Sequence, residues 1–145
     1  MNDFLFHDRV DFADTDAGGV VFFANVLRWV TRAEGAWFRS LGFDSFVRNA
    51  DGSYQGFPRV SVKCDYRAPF TPGETFAIAL APVKVGRSSF TYSFRVFKGD
   101  ENGLLGAEGT MTIVFAGGSP HGEFKLARLP EPILQLKVPA KKEGE

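Results

Sequence analysis

Phe4, Phe6, Val10 and Phe12 are apolar, with His7, Arg9 and Asp11 between them. That two-residue period predicts a half-buried strand at the start of the chain. The alternation stops at Asp14-Thr15-Asp16-Ala17-Gly18-Gly19, short acceptors followed by glycines free to take positive φ, which predicts a loop. Beyond it the period changes. Phe23, Val26, Leu27, Val30, Ala33, Trp37 and Leu41 recur at spacings of three and four, predicting a core helix that starts near Phe22–Phe23 and stops at Gly42.

Residues 44–55 are polar with weak periodicity and predict a loop. From Phe57 the strand pattern returns, with Val60, Val62, Cys64 and Tyr66 facing one way and Arg59, Ser61, Lys63, Asp65 and Arg67 the other. A Pro- and Gly-bearing turn at 69–74 leads to three further strands, 75–85, 88–98 and 104–115, joined as antiparallel hairpins. After Phe115 the glycines at 117, 118 and 122 and the prolines at 130, 132 and 139 predict a loosely held end. The expected organisation is one domain over 1–130 and a flexible tail over 131–145.

Strand, long helix and four strands make an α+β protein with a five-stranded antiparallel sheet. One helix covers only one face of such a sheet. Bending the sheet around the helix and burying the remainder against another subunit resolves the mismatch, so an oligomer is expected.

Composition narrows the function. The chain has 145 residues, 44% apolar and 23% charged, as expected of a globular domain. Phe supplies 16 of its aromatic residues, against three Tyr and two Trp, which promises a thick core or an apolar cavity. Seventeen basic and seventeen acidic residues cancel, removing the whole-protein electrostatic argument for nucleic acid or an anionic membrane. One cysteine makes no internal disulfide, and two histidines leave a multi-ligand zinc site hard to assemble. No apolar run reaches signal-peptide or bilayer-spanning length, so a cytoplasmic protein is expected.

The densest polar cluster beside the helix is Asp14-Thr15-Asp16. A helix start offers unpaired N–H groups and a partial positive charge that would polarise a carbonyl and stabilise an oxyanion. A carboxylate just upstream could attack that carbonyl or take a proton from water. The structural alternative is that Asp14 and Asp16 only cap the helix. A calcium loop fails at Gly18 and at Asn25, where a bidentate Glu is required. The stretch 117–121 lacks the last glycine of a nucleophile elbow. Cys64 reads as core, and His7 and His121 as structural or solvent-exposed.

The stretch Ala13-Asp14-Thr15-Asp16-Ala17-Gly18-Gly19-Val20-Val21-Phe22-Phe23-Ala24-Asn25 resembles the 4-hydroxybenzoyl-CoA thioesterase family of hotdog-fold acyl-CoA hydrolases, most of all its 1,4-dihydroxy-2-naphthoyl-CoA hydrolases. Pro58 to Pro69 with Gly73-Glu74, and Arg87-Ser88-Ser89-Phe90, are similar to later stretches of that family. The resemblance implies a curved sheet wrapped around the helix, sheets of paired subunits joined edge to edge, and a site at the subunit interface of a dimer or homotetramer. It implies Asp16 as the catalytic carboxylate and the backbone N–H of Phe23 as the carbonyl-polarising group. Gly18 stands where relatives often carry Ala, and Ala24-Asn25 where some have Pro-Asn or Asn-Gln. Glu34 is a second candidate carboxylate, because other hotdog branches place their acid mid-helix. Its alternative role is an ion-pair or hydrogen-bond partner at a helix edge.

Coenzyme A phosphates call for cations, and Arg suits them through bidentate contacts. Arg87 with Lys84, Ser88 and Ser89 occupies the hairpin where the family often meets the nucleotide; the row Arg59, Lys63, Arg67 is the other option. The expected activity is hydrolysis of an aromatic or bulky acyl-CoA, with no metal or redox cofactor. The alternatives are an acyl-carrier-protein thioesterase, docking its carrier on Arg59, Lys63 and Arg67, and a non-catalytic acyl-CoA binding module.

Overall fold

The computed structural model describes residues 3–140. Strand β1 (Phe4–Arg9) leads through a 3-10 turn (Phe12–Asp14) to the long helix α1 (Phe23–Ser40). Four long strands follow: β4 (Arg59–Tyr66), β5 (Thr75–Val85), β6 (Ser89–Lys98) and β7 (Leu105–Val114). With β1 they form one antiparallel sheet in the order β1-β5-β6-β7-β4, in which β5, β6 and β7 are joined by the hairpins that the turn residues predict. Gly42, at φ +98, follows the end of α1, where a residue in that conformation ends a helix most easily as glycine.

The apolar stripe of α1 lies on the inward rows of the sheet. Val26, Trp29, Val30, Ala33, Trp37 and Phe38 are buried with Phe76, Ile78 and Leu80 of β5 and Phe90, Tyr92, Phe94 and Val96 of β6. Trp29 stacks on Phe76 at 4.2 Å between ring centroids and meets Phe70 edge-on at 5.5 Å. Phenylalanine is the commonest residue type of the core, buried at positions 38, 57, 70, 76, 90 and 94, whereas Phe12, Phe22, Phe23, Phe46 and Phe124 are exposed.

Four details depart from the pattern. The predicted first strand stops at Arg9: Val10 is buried, but Phe12 opens the 3-10 turn and is 83% exposed. Residues 44–55 are not wholly loop. They hold β2 (Phe46–Arg48) and β3 (Tyr54–Gly56), which with β8 (Ala116–Gly118) and β9 (Phe124–Leu126) make a second, four-stranded sheet. Three-residue strands are too short to show a period. The expected loose tail is docked at its start, where α2 (Glu131–Leu134) buries Ile133, Leu129 is buried beside it, and Leu129 N–H donates to Arg87 O at 2.8 Å. Pro132 sits in the first turn of α2, where a proline starts a helix rather than breaking it. The remainder of the expected tail, 141–145, lies outside the described residues.

The fourth departure is a β-bulge between Arg59 and Ser61. Ser61, Lys63 and Asp65 pair with Thr112, Thr110 and Glu108, whereas Arg59 pairs with buried Ile113 and so shares the inward face with Val62, Cys64 and Tyr66. The basic row read from the alternation is broken at its first member. Arg59 turns in to Glu34, which lies not at a helix edge but fully buried. The guanidinium grips the carboxylate with both arms, and Tyr92 Oη donates to Glu34 Oε1 at 2.8 Å. Burial, then the Glu34 charge, push the Tyr92 phenol up, so it remains a donor. Among the described residues no helix is long and apolar enough to cross a membrane.

Removing one arm of this pair leaves a charge uncompensated in the core. Arg59→Ala is expected to lower unfolding free energy by about 3 kcal/mol, the low end for a buried pair because the Arg59 side chain is 35% exposed. Glu34→Leu with Arg59→Met is expected to recover most of that loss in urea unfolding.

Candidate active site

Asp14 and Asp16, adjacent in the motif, have opposite surroundings. Asp14 is 5% exposed; its Oδ2 accepts Asp11 N–H at 2.9 Å and Trp29 Nε1–H at 3.3 Å, and Arg28 lies 3.8 Å from Oδ1. The structural alternative, capping of α1, is met by neither acid: Asp14 caps the 3-10 turn through Asp11 N–H and anchors Trp29 instead. Asp16 stands exposed in a tight bend: its N–H donates to Val20 O, its carbonyl accepts from Gly19, and Thr15 bridges to Val21. Gly19 takes φ +80, which the bend requires. Asp16 Oδ1 accepts Gly18 N–H at 2.8 Å, and Oδ2 accepts no hydrogen bond from a described residue. A Cβ at Gly18 would come within 3.1 Å of Oδ1, so an alanine there would need the carboxylate to shift slightly.

The bend delivers the chain to the tip of α1. Val21 N–H donates to Phe70 O at 2.8 Å, Phe22 N–H to Asp14 O at 2.9 Å and Asn25 N–H to Phe22 O at 2.9 Å. Phe23 and Ala24, the first two helical residues, keep amides with no partner among the described residues, and no side chain caps the helix. Its first turn carries no acid. Two open N–H groups thus sit at the positive end of an eighteen-residue helix, an arrangement suited to an oxyanion.

Beside them lies an apolar cavity of about 330 Å³, lined chiefly by Val21, Phe23, Val26, Tyr66, Arg67 and Phe70. Asp16 is outside its lining. Tyr66, which sequence reasoning treated only as an inward strand residue, donates its hydroxyl to Phe23 O at 2.8 Å and meets the Phe23 ring edge-on at 6.2 Å. Burial, then the Cys64 thiol, raise the Tyr66 phenol to about 12, so it stays a donor at neutral pH. The alternation places Tyr66 inward; only the path of α1 brings Phe23 to it. Cys64, half-buried at the rim of the core, has its thiol pushed up by burial.

The candidate phosphate contacts are dispersed. Lys84, Arg87, Ser88 and Ser89 surround the β5–β6 turn, where Ser89 pairs with Val114, while Tyr66 pairs with Ala107 at the other end of β7. Seven residues of strand separate these pairs, roughly 23 Å at about 3.3 Å per residue. The turn and the tip of α1 in one chain therefore meet a common ligand only if it spans that distance, or if two chains pair. Lys84 and Arg87 are exposed, with no carboxylate within 4.0 Å among the described residues. Lys63 and Arg67 share Asp65 at 3.9 Å, and Arg67 also reaches Glu108 at 3.4 Å. Glu34, enclosed by Arg59 and Tyr92, has no exposed surface to offer a ligand. Among the described residues no three His, Cys, Asp or Glu side chains are grouped to hold a metal ion. His7 is exposed and 3.1 Å from Glu101, and His121 is exposed.

Comparison with known proteins places this geometry in a family. The model described as thioesterase superfamily matches residues 18–104. A putative esterase of Aquifex aeolicus is 32% identical over 67% of this chain and 74% of its own length. A 1,4-dihydroxy-2-naphthoyl-CoA hydrolase of Nostoc punctiforme is 35% identical over 64% of this chain and 62% of its own, so the chain spans less than two thirds of that relative. The solved 1,4-dihydroxy-2-naphthoyl-CoA thioesterase of Synechocystis superimposes with a TM-score of 0.75 over 95% of this chain and 100% of its own, at 24% identity, which establishes the shared hotdog fold. The long helix on its antiparallel sheet, and a family match across more than half of the sequence, lead to one conclusion: the chain belongs to the thioesterase superfamily and is a thioester hydrolase.

Proposed function

We propose that the protein hydrolyses an acyl-CoA whose acyl group is aromatic or otherwise bulky and apolar. The observation that carries this reading is the pair of open amides at the tip of α1, beside an apolar cavity and one tight bend away from Asp16. The thioester carbonyl oxygen lies on Phe23 N–H, and charge developing there is met by donors already in position. Asp16 either attacks the carbonyl carbon, expelling coenzyme A thiolate and leaving an acyl anhydride that water cleaves, or takes a proton from the attacking water. Both routes end in free acid and coenzyme A, and thiolate is a good enough leaving group that neither needs a metal.

The aromatic walls given by Phe23, Tyr66 and Phe70 favour a planar acyl group. Relatives named as 1,4-dihydroxy-2-naphthoyl-CoA hydrolases support the same class. Arg87 and Lys84, with Ser88 and Ser89, meet the coenzyme A phosphates, because these cations have no acid partner among the described residues whereas Arg59, Lys63 and Arg67 do. That difference also favours coenzyme A over a carrier protein docked on the latter three. The second subunit pairs along β4, an outer strand of the sheet where Val60, Val62 and Tyr66 are exposed.

Asp16→Asn is expected to lower kcat by about 10²–10⁴-fold while leaving acyl-CoA binding intact. Unchanged turnover would refute the role of Asp16; binding without hydrolysis by the unaltered protein would favour the non-catalytic alternative. In a panel of benzoyl-, hydroxynaphthoyl-, phenylacetyl- and straight-chain acyl-CoA, the aromatic members are expected to give the highest kcat/KM. Preference for long linear chains would overturn the acyl-group assignment and leave the reaction standing.

A further inference from the structure

Among the described residues Asp14 and Glu34 are the two buried charged side chains. Glu34 is accounted for by Arg59 and Tyr92; Asp14 has no part in the reaction set out above. We propose that Asp14 and Asn25 are positioning residues for the hydrolysis, clasping the Asp16 bend to the first turn of α1 so that the first amide left open is that of Phe23. The proposal rests on the roles given above to Asp16 and Phe23.

The clasp has two halves that meet in one residue. The Asp14 carbonyl accepts two donors, Phe22 N–H at 2.9 Å and Asn25 Nδ2–H at 2.8 Å. Asn25 N–H is itself taken by Phe22 O at 2.9 Å. Donors on either side of the open pair are thereby consumed, and the site begins at Phe23 and not one residue earlier. The Asp14 carboxylate holds the other half, accepting Asp11 N–H and the indole N–H of Trp29. Trp29 is buried and stacked on Phe76, so the bend is referred to the centre of the core and not to the surface.

Asp16 is two residues further on, a reach of at most about 7 Å of chain. Thr15 Oγ1 donates to Phe12 O at 2.7 Å and Thr15 bridges Val21, so little slack remains between Asp14 and Asp16. Displacement of a reacting group by about 1 Å costs on the order of 10²-fold in rate. A clasp that fixes both the open amide and the carboxylate therefore acts on turnover more than on substrate binding.

Asn25 separates this role from a merely structural one. It is the third residue of α1, where a carboxylate favours the helix through its dipole. Asn25→Asp is thus expected to melt at or above the temperature of the unaltered protein. When ionised, however, it has no proton to donate to the Asp14 carbonyl.

The test is steady-state hydrolysis of benzoyl-CoA, with thermal melting, for the full chain carrying Asn25→Ala, Asn25→Asp or Asp16→Asn. Asn25→Ala is expected to lose about 10–100-fold in kcat with KM within about threefold. Asn25→Asp is expected to be similarly slow at pH 8 without a lower melting temperature. The ordinary aspartate pKa is about 3.9 and the helix dipole lowers it, so the new carboxylate stays ionised and the deficit should persist from pH 8 down to pH 5. An Asn25→Ala kcat within twofold of the unaltered protein, with Asp16→Asn inactive, would overturn the clasp and spare the proposed reaction. So would full turnover by Asn25→Asp at pH 8, which also decides the matter if Asn25→Ala does not fold. Retained turnover in Asp16→Asn would mean that the reaction reading itself has failed, and the clasp with it.

Discussion

An α-helix cannot satisfy its own first amides, and the loops, caps and packing around its start decide where those donors point. Here Val21, Phe22 and Asn25 each give their N–H to a backbone carbonyl, while Phe23 and Ala24 have no such partner among the described residues. No side chain folds back to cap them. The local sequence makes this possible: Gly19 at positive φ turns the chain sharply, and the bridge between Thr15 and Val21 returns it beside the point where it left. The result is a positive pole beside an apolar hollow that Phe23 helps to line, with Asp16 held in the bend that precedes it.

That pole is worth little unless α1 is held firmly on the sheet. Trp29 does this near the tip, through its stack on Phe76 and its hydrogen bond to Asp14. Glu34 does it midway, through Arg59 and Tyr92. The bulge at Arg59 is the device that permits the second anchor, since regular alternation would turn that guanidinium away from the helix. Tyr66, further along the same strand, reaches the carbonyl of Phe23 itself. Strand β4 thus touches α1 in the middle and at the tip.

Much of this was legible in the residues. Period-two runs located β1 and β4, turn residues located the hairpins of β5, β6 and β7, and the change to three-and-four spacing at Phe23 located α1. The 13–25 stretch pointed to the thioesterase family that the comparisons establish. What escaped lacks a repeating signal. The bulge at 59–61 reverses the facing of one arginine without altering any residue type. Strands such as Phe46–Arg48 and Phe124–Leu126 span one and a half periods at most. Pro130 and Pro132 read as punctuation, yet they open a helical turn that buries Ile133. Asp14 and Asp16 are the same residue type two positions apart, and the placement of Asp11, Arg28 and Trp29 around the first makes it an anchor while the other remains exposed.

The central claim is spatial: one carbonyl oxygen, one backbone amide and one carboxylate converge at the tip of α1. A crystal structure of the Asp16→Asn chain with unhydrolysed benzoyl-CoA tests it most directly. The account predicts the thioester oxygen at about 3 Å from Phe23 N, the residue-16 side chain facing the carbonyl carbon, and the ring inside the cavity formed with Tyr66 and Phe70. A thioester bound elsewhere, with the Phe23 amide turned to solvent, would contradict it.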